Sequence, residues 1–369
     1  MKSLLSICLT LLVTTALSSA APNDRFAQII LFVEEGAEPA ANYKKRLNSL
    51  ALRTEAFFTN QLKRWNRPVE RTQIFARNEK GNVQISVVKG KLLNPAGRAA
   101  LPKLNTMAIN GAAKQLDLKK SGPPVVFWIF YDYPGVKGFQ GGARKSGGVA
   151  VNKYPAAETL IHIKADLASP ALNETAIKGT IHEFGHALGL PHIGPRPRRK
   201  LGNTLMGPIN KVYWRRTKTE DPRVFLSEAS AAALWKHPIF KKESSPNPKM
   251  PAKVDIENLA TTSSDDQQKI IITGKLNSDQ KAHTVVALDS ERGKFGDYWE
   301  RPYVAGLDPE GNFKLEINAP RTQGTIFLSF SFENGINTSD GKKTFQQNSA
   351  ISRSYSTKEG KRVFADQNQ

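Results

Sequence analysis

The chain has 369 residues, 39% apolar and 23% charged, which excludes a disordered or fibrous protein and gives length enough for two cores. Its formal net charge of +20 disfavours basic partners and favours polyanions such as acidic polysaccharide or an anionic envelope, and no nucleic-acid-binding motif accompanies it. One cysteine, Cys8, excludes a disulfide framework within the chain.

Residues 1–21 carry Lys2, then an apolar run over 4–17, then the small residues Ser18, Ser19 and Ala20. That is the pattern of a secretory signal peptide, with an apolar core too short to span a bilayer. Cleavage near Ala20 or Ala21 would remove Cys8 and leave no thiol. Eukaryotic secreted proteins of this size usually carry disulfides, so the expectation is a bacterial protein, secreted or periplasmic.

Residues 26–33 read as a buried first strand. Residues 42–65 read as a long helix: Leu47, Leu50, Phe57, Phe58, Leu62 and Trp65 recur near helical spacing, and Arg67-Pro68 closes it. Residues 72–76 and 83–88 read as strands with a turn at 78–82 between them. A short helix is expected near 103–118, and residues 125–131 (Val-Val-Phe-Trp-Ile-Phe-Tyr) give the strongest strand signal. Residues 134–148, with six glycines, read as an irregular loop, 149–151 as a short edge strand, and 159–164 as another buried strand. Asn173 is placed to cap a helix that runs to about Leu188.

That helix opens the run His182-Glu183-Phe184-Gly185-His186-Ala187-Leu188-Gly189-Leu190-Pro191-His192, which holds three of the chain's six histidines. Two histidines four apart lie on one helix face, one turn apart, so both imidazoles can reach a single ion. Glu183 follows the first, where its carboxylate can reach water on that ion. Gly189 lets the chain leave the helix with positive φ and return His192 as a third nitrogen. Three nitrogens with one open corner describe a catalytic zinc site and not a closed structural one. Ile177, Ile181, Phe184 and Leu188 form the opposite stripe, suited to packing on a sheet. His162, alone on its expected strand, reads as structural.

Beyond His192 the chain is basic and irregular (Pro195-Arg196-Pro197-Arg198-Arg199-Lys200), then reads Asn203-Thr204-Leu205-Met206-Gly207-Pro208. Residues 227–235 read as an alanine-rich helix capped by Ser227, and 241–252 as a linker by composition. Five strands follow, at 253–259, 269–276, 284–288, 312–318 and 325–332, separated by turn residues; this pattern suggests an antiparallel β-sandwich. Asn337-Thr338-Ser339 fits a glycosylation acceptor, read as coincidence in a bacterial protein.

His182, Glu183, His186, Gly189 and His192, with Met206 downstream, resemble the signature of the metzincin clan of zinc metallopeptidases. The stretch His-Glu-Phe-Gly-His-Ala-Leu-Gly-Leu is most similar to the matrixins, the matrix-metalloprotease-like group. The resemblance covers 180–208 by motif and about 25–240 by order of elements. It implies an α+β fold: a twisted mixed sheet, a long first helix behind it, the zinc helix, and a cleft beneath an edge strand. It implies Zn2+ on His182, His186 and His192, Glu183 as general base, and Met206 in a Met-turn beneath the ligands. Ile193 departs from the small polar residue usual in matrixins, no cysteine-bearing pro-segment is expected, and matrixin sites for a second zinc or calcium find no match. Tyr213 is the candidate for the tyrosine that some metzincins use near zinc.

The expected organisation is a signal peptide at 1–21, a zinc peptidase domain at 22–240, a linker at 241–252 and a β-sandwich accessory domain at 253–369. The expected activity is that of a secreted zinc-dependent endopeptidase, hydrolysing peptide bonds through a zinc-bound water with Glu183 moving the proton. An extended protein or peptide substrate is expected to pair with an edge strand near 148–152, and the basic segment 196–216 to border the cleft and favour acidic substrates. The basic surface would meet an anionic polymer or the cell envelope, and no membrane span remains after signal cleavage. Two readings compete: a non-catalytic secreted protein that binds envelope or glycan through a degenerate zinc domain, and hydrolysis of a non-peptide amide. Glu183 retained beside all three ligands argues against the first.

Overall fold

The computed structural model describes residues 26–91, 101–118, 125–133, 136, 140–144, 147–154, 164, 166–168, 170–172, 175–196, 201–242, 248–347 and 351–365. The signal segment, His162 with most of its expected strand, Asn173, residues 197–200 and the middle of the expected linker lie outside them.

The first sheet is built from β1 (Gln28–Glu34), β2 (Ile85–Gly90), β3 (Val125–Asp132), β4 (Gln140–Arg144) and β5 (Gly147–Lys153), in the order β2-β1-β3-β5-β4. β1, β2, β3 and β5 run parallel, and β4 runs antiparallel to β5. Short pairs join β6 (Pro170–Leu172) to β7 (Thr175–Ala176) and β8 (Asn203–Thr204) to β9 (Val224–Phe225). The helices are α1 (Tyr43–Arg64), α2 (Leu101–Gln115), α3 (Ile177–Ala187), α4 (Asn210–Thr217) and α5 (Glu228–Trp235).

Parallel strands are covered on both faces, and alternate residues sort accordingly. Ile29, Leu31, Trp128 and Phe130 pack with Leu50 and Phe58 of α1, Phe184 of α3 and Leu234 of α5. Ile30, Phe32, Ile129 and Tyr131 face Leu104 and Ala108 of α2. The run 72–76, expected as a strand, gives only an isolated bridge from Phe75 to Ala27, while the turn at 78–82 closes with a bridge from Arg77 to Val83. Glu55 of α1 holds that run, accepting the Ile74 and Phe75 N–H groups at 2.9 Å each. Ser227 caps α5, accepting from the Ser230 N–H at 3.1 Å.

The sheet edge differs from the expectation. Residues 149–151 lie in β5, an interior strand, and part of the glycine-rich stretch expected as a loop forms the edge strand β4. The glycines serve close approach. A Cβ on Gly141 would lie 2.1 Å from Glu183 O, and one on Gly148 would lie 1.8 Å from Ala187 O. β4 and β5 therefore lie directly on α3, which side chains at those positions would prevent.

The C-terminal strands are β10 (Val254–Ser263), β11 (Lys269–Ser278), β12 (Ala282–Ser290), β13 (Arg301–Gly306), β14 (Asn312–Asn318), β15 (Gln323–Phe332), β16 (Asn337–Thr338), β17 (Ile351–Lys358) and β18 (Lys361–Phe364). They form two antiparallel sheets, β10-β11-β14 and β13-β12-β15-β17-β18, with β16 on β15. Ile270, Ile272, Leu315 and Ile317 of one sheet meet Val285, Ala287, Leu328 and Phe330 of the other. The far face of the second sheet is also buried: Val286, Leu288 and Phe327 join the core around α1, α3 and α5. Burial on two faces is why residues 285–288 read Val-Val-Ala-Leu without polar alternation. Among the described residues no helix is long and apolar enough to cross a membrane.

Candidate metal centre

α3 is oriented by its apolar stripe. The Phe184 ring lies 4.8 Å from Trp128, 5.2 Å from Phe75 and 6.2 Å from Phe58, centroid to centroid. With that stripe fixed on the sheet, His182 and His186 project from the other side. The helix ends in a Schellman motif: the Leu190 N–H donates to Gly185 O at 3.1 Å, the Gly189 N–H to His186 O at 3.0 Å, and Gly189 has φ +88°. This turn returns His192 to the same face, as the spacing predicted.

Met206 is buried directly beneath the histidine helix. A Cβ on Gly185 would lie 2.6 Å from its Sδ, so the glycine admits the methionine. Lys178, also buried, donates to Gly207 O at 3.3 Å and to Pro208 O, which ties this turn to α3; burial holds its ammonium well below the usual lysine range.

The ligand nitrogens of His182, His186 and His192 all lie within 4.8 Å of one another. Each Nδ1 faces a backbone carbonyl: Leu205 O at 2.8 Å, Leu190 O at 2.7 Å and Gly296 O at 2.9 Å respectively. A carbonyl only accepts, so hydrogen bonding assigns the proton to Nδ1 and leaves each Nε2 with a free lone pair. His186 Nε2 and His192 Nε2 stand 3.1 Å apart. Two such lone pairs repel unless a cation lies between them, and two nitrogens on one tetrahedral zinc are separated by about 3.3 Å. Burial lowers all three titrations: His182 well below its usual range and His186 to about 4, each helped by neighbouring imidazoles, and His192 in the same direction against the Gly296 carbonyl and the Asp297 charge. Neutral, pre-oriented imidazoles are what a metal requires, so the donor set fits zinc.

Glu183 sits half-buried beside this cluster, and desolvation raises its carboxyl to about 7. The remaining parts come from the C-terminal strands' loops. Tyr298 stacks on His192 with centroids 3.8 Å apart and lies 6.1 Å from His182. Burial, and then the Glu183 charge, raise its hydroxyl above the usual tyrosine value. Glu300 Oε1 accepts the Gly296 N–H at 2.7 Å, and its backbone oxygen accepts from Gly194 at 2.8 Å. Gln346 donates to His186 O at 3.0 Å and to Leu190 O at 3.3 Å.

Sequence reasoning missed Gly296, Tyr298, Glu300 and Gln346. No motif marks them; the one visible signal was aromatic, Phe295 and Tyr298-Trp299 in an otherwise polar, glycine-containing loop. Tyr213 stacks on Trp299 at 6.4 Å, outside the histidine cluster. Arg196 donates to Pro302 O and pairs with Glu228 at 3.5 Å; Arg216 lies over Trp299 and pairs with Glu291 at 3.1 Å. Arg196 is thus tied to β13 and Arg216 to the loop that precedes it. His237 and His283 are structural: His237 Nδ1 accepts from Ile239 N, and His283 packs edge-on to Trp235. The Asn337 amide donates to Ala233 O at 2.9 Å.

No protein-family model and no curated protein matches the chain. Solved structures do. Wild-type OgpA from Akkermansia muciniphila superposes with a TM-score of 0.62 at 19% identity, covering 87% of this chain and 93% of that one. A second crystal form gives 0.61 at 21%, covering 89% and 95%. Catalytically inactive OgpA in complex with an O-glycopeptide (glycodrosocin) substrate gives 0.61 at 19%, covering 87% and 92%. The fold is shared, and coverage of this extent takes in both the mixed sheet and the sandwich.

Proposed function

We propose that the chain is a secreted zinc-dependent endopeptidase of the metzincin kind, matrixin-like in its motif. His182, His186 and His192 hold the metal, Glu183 is the general base, and Met206 forms the floor. One observation carries this reading: one ring nitrogen from each of three histidines converges while every Nδ1 faces a carbonyl, with a carboxylate one residue after the first histidine. Zinc bound there supplies Lewis acidity, polarising a scissile carbonyl and acidifying water. Glu183 takes the proton of the attacking water and passes it to the leaving amine. The sandwich region 253–369 is part of this machinery, since its Gly296 carbonyl fixes the His192 tautomer. The fold shared with a protein crystallised with an O-glycopeptide substrate supports a peptide substrate and makes O-glycopeptides the first class to test.

The decisive experiment compares wild type with Glu183→Ala on casein and on an O-glycopeptide, with metal content measured in both. Wild type should hold one zinc per chain and lose turnover to a chelator. Glu183→Ala should keep its zinc and lose activity by roughly 10²- to 10⁴-fold. Active protein without metal, or undiminished cleavage by the variant, would overturn the assignment.

A further inference from the structure

β4 ends its sheet, so half of its backbone groups point away from β5. In an antiparallel pair the N–H and C=O of one residue point to the partner strand and those of the next point outward. Ala143, opposite Gly148, donates its N–H outside the sheet, to Gln346 Oε1 at 2.9 Å. Ala143 therefore belongs to the outward row, and Gly141, two residues earlier, belongs to it as well. Gly141 is also the residue pressed against the histidine helix, its Cβ position 2.8 Å from His186 Cβ. A peptide laid along this edge beside Glu183 meets Gly141 first and Ala143 next, and the Ala143 amide is already committed.

Gln346 is held firmly in that place. Its Oε1 accepts from Ala143 while its Nε2 donates to the His186 and Leu190 carbonyls. The preceding residue, Phe345, is buried in the core shared by the two sheet systems and packs edge-on to Phe295 at 6.3 Å. The turn is closed by Phe345 N–H on Asn337 O at 2.8 Å and Gln347 N–H on Thr344 O at 2.9 Å. The side chain stands where a substrate carbonyl would otherwise accept from Ala143.

We propose that Gln346 determines specificity by capping the substrate-pairing edge at Ala143. Backbone recognition of an extended peptide is then confined to the Gly141 position, and chain length beyond the cap adds nothing to binding. This rests on the peptidase reading of the same site. Affinity beyond one backbone position must come from the substrate's side chains.

The test is binding of nested synthetic peptides, lengthened one residue at a time at either end from the shortest one cleaved. Anisotropy is read in zinc-loaded Glu183→Ala protein with and without Gln346→Ala. With Gln346 present, affinity should stop rising at one end of the series. With Gln346→Ala it should rise further at that end, by about fivefold for one additional hydrogen bond. Zinc content and melting temperature confirm that each variant is folded. Should Gln346→Ala fail to fold, Ala143→Pro decides: it removes an amide already committed, so peptide affinity should be close to that of the parent, and a large loss overturns the cap. Equal length dependence with and without Gln346 overturns it too. Failure of every peptide to bind or be cleaved instead removes the peptidase reading, and the cap with it.

Discussion

The mixed sheet and the sandwich meet at His192, and they contribute different things. From the first come the nitrogens and Glu183, fixed by a helix whose Phe184 is wedged among Trp128, Phe75 and Phe58. From the second come the Gly296 carbonyl, the Tyr298 ring and the Gln346 amide. Donor identity is local: all three imidazoles fall within eleven residues. Donor orientation is not, because the carbonyl that fixes the His192 tautomer lies 104 residues further along the chain. An imidazole free to exchange tautomers or rotate binds metal more weakly, so the sandwich is an organising element of the site.

Damage to the two halves should therefore differ in kind as well as in size. Phe184→Ala should cost the most stability, about 3–5 kcal/mol in chemical unfolding, because it removes a fully buried ring from under the metal helix. Next come Leu288→Ala and Leu315→Ala, each removing a side chain of 0% exposure at about 2–5 kcal/mol. They lie in different cores: Leu288 faces the one shared with the mixed sheet, Leu315 the one between the two sheets of the sandwich. Measured by chelator competition below both melting points, zinc affinity should fall in Leu288→Ala and hold in Leu315→Ala. Equal affinities would show the sandwich to be a passive neighbour.

This division also explains what the sequence disclosed. The motif, the Gly189 turn, the long helix and the strand at Val125–Asp132 were legible because each rests on local periodicity or on a residue with one conformational use. The edge strand was not, since glycine lowers strand propensity and the need for it at Gly141 arises only from the backbone of α3 packed against it. Glu300 and Gln346 carried no signal, and Tyr298 only that of an aromatic in a loop, because their partners are set by how two sheets pack. The apolar run at 285–288 did carry the information that this sheet has two covered faces, which the expectation of a β-sandwich did not use.

Glu300 sharpens the contrast through pH. It is fully buried, its Oε2 has no hydrogen-bond partner, and burial raises its carboxyl to about 8, with Asp297 and Asp289 adding to the effect against the Asp297 and Gly296 backbone bonds. Arg301 and Arg321 face Asp289 rather than Glu300. In the unfolded chain the group titrates near its ordinary 4.5. Between those values the folded state keeps a proton that the unfolded state has released, so stability falls as pH rises; the favourable contribution is complete below about 4.5 and lost by about 8. Glu300→Gln should abolish this slope, leaving the variant more stable than wild type at alkaline pH by on the order of 2 kcal/mol after relaxation. Parallel melting curves for the two proteins across that range would exclude the raised carboxyl.

The smallest effect expected is at Tyr298, and it separates a ring that holds a ligand from a hydroxyl that serves chemistry. The side chain is 42% exposed, so its removal should cost little global stability, yet its ring is stacked on His192. Tyr298→Phe keeps the stack and should leave zinc affinity close to wild type. Tyr298→Ala frees one face of the imidazole and should weaken zinc by roughly tenfold, the lower end of what loss of a ligand-orienting partner costs. If Phe and Ala weaken zinc equally, the hydroxyl and not the ring is what His192 depends on. If neither weakens it, the Gly296 carbonyl alone suffices, and the sandwich acts on the metal through one hydrogen bond.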